Sequence, residues 1–214
     1  MGAIVAISIL LAGTPGCFGN DTTPFPPGLE PLAESTAPRP NGTESDPYPE
    51  TIAITAGDGD TAWVHARAFV HAPLRTVFDA MATPDACVDR RAVDRFSITT
   101  DVEPDYDHSF VIHNEVDDII TVEFNMSWRL GFVPPNDDEP AVGLGRWQKT
   151  WGTEFIDRLE GSIVAREVSP VITELALVEY LEAASGGAAE LESFLRDYIA
   201  NITALSHGNP LPPL

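Results

Sequence analysis

Lys149 stands between Trp147 and Trp151 in the stretch LGRWQKTWGTEF. Side chains alternate between the two faces of an extended strand. Read as a strand, this stretch puts Trp147, Lys149, Trp151, Thr153 and Phe155 on one face. A lone ammonium on an apolar wall can bind the carboxylate or phosphate of an otherwise apolar ligand. It can equally snorkel at the end of a sheet, or the alternation can slip at a β-bulge near Gly145 or Gly152. Glu123 or Glu174 could join Lys149 as an acid–base pair. The remaining candidates are weaker. His65, His71, His108, His113 and His207 contain no pair at helical metal-ligand spacing, and a wet strand face explains His65 and His71. Cys87 lies among Asp85, Asp89 and Asp94, whose charge opposes thiolate formation; it reads as a small buried side chain. There is no glycine-rich phosphate loop and no compelling Ser-His-Asp order. The expectation is no catalytic set, no metal and no cofactor.

These residues need elements to hold them. In IITVEFNMSWRL, Ile120, Val122, Phe124, Met126, Trp128 and Leu130 share one face, and Ile119, Thr121, Glu123, Asn125, Ser127 and Arg129 the other. That pattern is an antiparallel strand with one buried and one wet face. HSFVIHNEV precedes it, joined through a turn at Asp117-Asp118. RFSITTDV, LGRWQKTWGTEF, EGSIVAREV and VITELALVEYLE read as further strands, with Pro170 in the turn between the last two. After Gly186-Gly187 the period changes. Leu191, Phe194, Leu195, Tyr198, Ile199, Ile202 and Leu205 form the stripe of an amphipathic helix, stopped by Gly208 and Pro210.

The opening of the folded region, ARAFVHAPLRTVFDAMATP, reads as a strand, an Ala72-Pro73 junction, a short helix bearing Val77-Phe78, and a stop at Pro84. With the element order and the final long helix, it resembles the START/Bet v 1-like (SRPBCC) superfamily over roughly residues 60 to 207. The Trp that this family often carries after the short helix is missing; DACVDRRAV occupies its place. The resemblance implies an α+β helix-grip fold: a curved antiparallel sheet of six or seven strands around a long C-terminal α-helix, with short helices after the first strand. It also implies an elongated cavity between sheet and helix that takes a lipid or similar small apolar molecule. The residues expected to meet that ligand are Phe124, Met126, Trp128, Trp147, Lys149 and Trp151 from the sheet, and Leu195, Ile199 and Ile202 from the helix. The alternatives are a packed interaction domain without a cavity and an enzyme of the polyketide cyclase or dehydratase kind.

The N-terminus reads as an address. AIVAISILLAG is an apolar run too short to span a bilayer and fits the core of a secretory signal. GTPGC then resembles a bacterial lipobox, although Thr14 stands where that motif has Leu; it implies lipidation at Cys17. The expected division is a signal over 1–17, a Pro-rich disordered linker over 18–55, the folded domain over 56–207 and a tail over 208–214. The expected location is the bacterial cell envelope, as an outer-membrane lipoprotein or otherwise a secreted or periplasmic protein, with a lipid anchor as the membrane contact. The chain carries 33 acidic against 12 basic residues, a net charge of -21. Such a surface repels phosphate, which argues against a nucleic-acid partner.

Overall fold

The structure is a computed structural model that describes residues 20–117 and 121–213. The expected signal and Cys17 lie outside the described residues, as does most of the turn after Asp117. Nine strands form one antiparallel sheet: β1 (Asn20–Thr22), β2 (Ile52–Gly57), β3 (Ala62–Val70), β4 (Arg95–Thr100), β5 (His108–Asp117), β6 (Thr121–Val133), β7 (Val142–Thr153), β8 (Ile156–Ser169) and β9 (Ile172–Ala183). Helix α1 (Leu74–Met81) and a 3-10 turn (Pro84–Cys87) follow β3, and α2 (Ala188–Ser206) closes the chain. The order across the sheet is β2-β3-β9-β8-β7-β6-β5-β4, with β1 beside β7. Two strands exceed expectation: β1 lies within the stretch expected as linker, and β2 begins in it.

Alternation sets the inner face. Val64, Ala66 and Ala68 of β3, Leu175 and Leu177 of β9, and Trp128 and Leu130 of β6 are all buried in one core. Small residues on β3 let α2 lie close, and α2 packs against α1, β2 and β3. Leu195 and Ile202 are fully buried there and Ile199 nearly so. Burying each such side chain contributes about 1.5–3 kcal/mol, so this stripe fixes the helix on the sheet. The entry to α2 is also specified. Gly186 turns the chain at φ 94°, a region where a Cβ is disfavoured. Asp58 Oδ1 then accepts from Ala188 N, and Glu190 Oε2 from Gly187 N, each at 2.8 Å. Both satisfy amides that a helix start leaves open.

Residues 20–50 do not form the disordered spacer expected for 18–55. They run as a strap across the outer face of the sheet. β1 extends β7 where β8 has parted from it, pairing Asn20 with Thr153 and Thr22 with Trp151. Onward, Gln148 Nε2 donates to Pro24 O, Arg129 Nη1 to Pro26 O, Leu32 N to Ser162 Oγ and Thr36 N to His65 Nδ1. Arg39 and Arg67 both bind Glu174. Burial alone would raise the Glu174 carboxyl, but the hydrogen bonds and charges of these two arginines hold it below its ordinary value. The prolines suit this role. A strap held by side chains of the sheet needs few amide donors of its own, and proline keeps it extended. The face expected to be wet is thus covered where the strap lies: Ser127, Arg129, Gln148, Ser162 and Glu174 are buried.

Candidate ligand cavity

The half of the inner face not occupied by α2 encloses a cavity of about 520 Å³, within the range of small-molecule sites. Its walls are Phe124, Met126 and Trp128 of β6, Trp147 of β7, and Leu191 and Phe194 of α2. Phe155, Ile156 and Leu159 border it where β7 and β8 diverge, and Ser185 and Gly186 where α2 begins. Four of the nine expected contact residues, Phe124, Met126, Trp128 and Trp147, therefore line it.

The other five do not. Leu195, Ile199 and Ile202 face the packed side of α2; the helix shows the cavity Leu191 and Phe194 instead. Trp151 is on the outer face. The β6–β7 register runs Asn125↔Trp151 and then Met126↔Lys149, so Thr150 is an extra residue on β7. This bulge reverses the parity of everything after it, at Thr150 rather than at Gly145 or Gly152. Trp151 lines a shallow outer groove with Phe25, His113 and Asn125. Lys149 keeps its inward parity but binds no cavity group. Its ammonium donates to Thr153 O and Ile156 O, closing the β7–β8 turn. Burial lowers its pKa, against the opposing charges of Asp21 and Asp157. Neither proposed acid partner reaches it: Glu174 is bound to arginines outside, and Glu123 shares the outer-face register with Glu115.

A residue that sequence reasoning passed over forms part of the cavity wall. Glu179 of β9 is 1% exposed and lines the cavity. It alternates with Leu175, Leu177 and Leu181 in LALVEYL, so parity alone places it on the inner face. Trp147, Gly161 and Glu179 lie in register across β7, β8 and β9. Gly161 has no side chain, so the Trp147 indole lies across it and Nε1 donates to Glu179 Oε1 at 2.9 Å. Glu179 Oε2 has no hydrogen-bond partner among the described residues, nor does Trp128 Nε1. Burial, with a smaller push from the Asp89 charge, raises the Glu179 carboxyl well above its ordinary value despite the Trp147 bond. Asp89 also lines the cavity, and burial raises its carboxyl too, against bonds from the Ala92 and Arg91 amides.

An aromatic stack supports these groups. Trp128 and Trp147 stack at 4.6 Å between ring centroids, Phe110 stacks on Trp128, and Tyr198 meets both indoles edge-on. Tyr198 donates to Met81 O. Cys87 lies at the cavity margin with its thiol directed to Met81 O and Thr83 O. Burial drives its pKa far up, which suits the inert small side chain expected from sequence. Among the described residues no group of His, Cys, Asp and Glu could hold a metal ion.

No family model matches the chain, and no curated protein matches it. Solved structures do. The human StarD13 lipid transfer and protein localization domain superposes with a TM-score of 0.50 and 8% identity, covering 78% of this chain and 87% of that one. The Zhui aromatase/cyclase from Streptomyces sp. R1128 gives 0.44 and 12%, covering 69% and 92%. Ara h 8.0201 gives 0.43 and 8%, covering 73% and 99%. At these identities the likeness concerns the fold alone, and the fold is the helix-grip fold.

Proposed function

We propose that this protein binds a small apolar molecule in the cavity between its sheet and α2. The observation that carries this reading is the cavity itself: about 520 Å³, walled by Phe124, Met126, Trp128, Trp147, Leu191 and Phe194. A domain that only docked partners would gain stability by filling that space, since voids cost packing energy. The StarD13 domain is described as a lipid transfer domain, which is compatible with such an occupant. The lipobox-like GTPGC adds a second part to the proposal: lipid on Cys17 holds the domain at a membrane of the bacterial envelope.

The test of binding uses decanol as a neutral apolar probe. Decanol should quench or shift the emission of Trp128 and Trp147 saturably and raise the melting temperature. Phe194→Trp, which fills the cavity from the helix side, should weaken that response while leaving the domain folded. A wild-type protein indifferent to decanol and to other apolar probes of similar size would refute the cavity reading. Metabolic palmitate labelling, lost in Cys17→Ala, checks the anchor.

A further inference from the structure

The cavity's walls are apolar, but its polar groups are one-sided in charge. Among the described residues three carboxyl side chains line it: Asp89, Glu179 and Glu190. No Lys, Arg or His is among the lining residues. Lys149, the nearest basic candidate by sequence, spends its donors on the carbonyls of Thr153 and Ile156. Glu190 is exposed at the mouth and accepts from Gly187 N. Asp89 Oδ1 accepts from Arg91 N and Ala92 N. Glu179 alone is fully enclosed, and its Oε2 has no partner.

We infer that the cavity selects an apolar amine, with Glu179 as its buried counter-ion and the stacked indoles as its aromatic wall. The inference rests on the ligand-binding reading above and sharpens it to a chemical class. A buried carboxylate oxygen without a protein partner costs free energy that a donor on the ligand recovers. A protonated amine supplies that donor and the opposite charge, and such bonds are the strong ones. The stacked indoles of Trp128 and Trp147 give the apolar body of that amine a rigid aromatic wall. The converse matters as much. A fatty acid would bring a carboxylate among three carboxyl groups with no cation to receive it, a repulsive element that discriminates by exclusion. Trp128 Nε1 is a donor, served by any acceptor on the ligand body, and does not alter the charge balance.

Binding an ammonium requires Glu179 to be ionised. Burial raises its carboxyl above the ordinary value and so favours the protonated form until a cation arrives. The other titratable groups around it are Asp89 and Cys87 from the segment after α1, and Glu190 and Tyr198 from α2; β3 and β8 present Val64 and Gly161 on its flanks. Wherever Glu179 still holds its proton, an amine that arrives already protonated displaces it to solvent, and the amine's affinity rises with pH until Glu179 ionises unaided.

The experiment compares decylamine, decanol and decanoate, equal in chain length, by calorimetric titration of the full chain. Decylamine should bind about tenfold or more tighter than decanol, with decanoate weakest. In two buffers of different ionisation enthalpy, over a series of pH values, the decylamine heats should report proton release that is greatest at the lowest pH, and the decanol heats none. Glu179→Gln should reduce the preference for amine over alcohol to near parity while decanol still binds. Should that variant fail to fold, proton release by the wild type decides. Equal binding of amine and alcohol, a preference for decanoate, or amine binding without proton release overturns the inference and leaves the ligand-binding reading standing. Failure of all three probes overturns both.

Discussion

At the scale of single residues, the site turns on the row Trp147, Gly161, Glu179. A Cβ on Gly161 would stand 2.1 Å from Trp147 Cζ2, too close for any indole position that still reaches Glu179. Gly161→Ala should therefore force the indole away and strand a buried carboxyl. Overpacking costs about 1–3 kcal/mol and an abandoned buried polar group a similar amount, so a loss of about 2–5 kcal/mol is expected. Urea denaturation reads it. Gly59→Ala, where the nearest atom is Thr61 O at 3.7 Å, is the control and should change little. Equal midpoints for Gly161→Ala and wild type would show that the row is not rigid. Parity made much of this site readable. Phe124, Met126, Trp128 and Trp147 fall inward as alternation requires, and Glu179 was equally legible in LALVEYL. Trp151 was not, because a bulge leaves no mark in composition. Lys149 had the right face, but the carbonyls it would meet at the turn could not be seen from spacing.

Among the elements, the sheet, the short helix and α2 follow from periodicity, whereas the strap does not. Of its apolar side chains only Ala37 and Pro40 are buried, and Phe25, Leu29, Leu32 and Tyr48 are half-buried without any regular period. They are held by arginines, Gln148, His65 and Ser162, polar residues that a solvated face would carry just as well. Disorder is the correct inference from composition when the partner surface is unknown. The split of the α2 stripe was hidden for a related reason: periodicity identifies one apolar face but not which part of it meets the packed sheet and which the cavity. The strap gives a test with a worked sign. His65 Nδ1 accepts from Thr36 N, with Trp63 and Tyr180 as its ring neighbours, and burial lowers its pKa from 6.5. Because the folded state resists protonation, its contribution is complete above pH 6.5 and declines as pH falls from 6.5 towards the lowered folded value. A protease active on both sides of pH 6.5 should cut residues 20–50 slowly above it and faster below. Arg129→Ala removes the donors to Pro26 O and Phe25 O and the cation stacked 3.8 Å from the Phe25 ring. Each lost charged bond is worth about 1.5–3 kcal/mol, so this variant should be cut readily at either pH. Rapid cutting of the wild type above pH 6.5 would restore the spacer reading.

For the whole molecule, the strap changes what a lipid at Cys17 would do. A free spacer would hold the domain away from the membrane. Cys17 precedes Asn20 by three residues, and at roughly 3.3–3.6 Å per residue a three-residue tether spans at most about 11 Å of backbone. Asn20 pairs with Thr153 at the end of β7, and the next turn carries Phe155 and Ile156 at the cavity's border. If Cys17 is lipidated as proposed, the anchor would set this end of the cavity towards the bilayer, and an apolar ligand would then exchange with the membrane without crossing water. The opposite end, the β8–β9 turn at Val171, stands roughly 45 Å away along a fourteen-residue strand. Polarity-sensitive dyes on Asp157→Cys and Val171→Cys test the orientation, with buried Cys87 shielded from labelling. In lipidated protein on vesicles containing brominated lipid, the dye at 157 should be quenched and the dye at 171 should not. In Cys17→Ala neither should respond. Equal quenching at both positions would place the domain flat on the membrane and quenching at 171 alone would invert it; in either case the cavity would have to load through solvent.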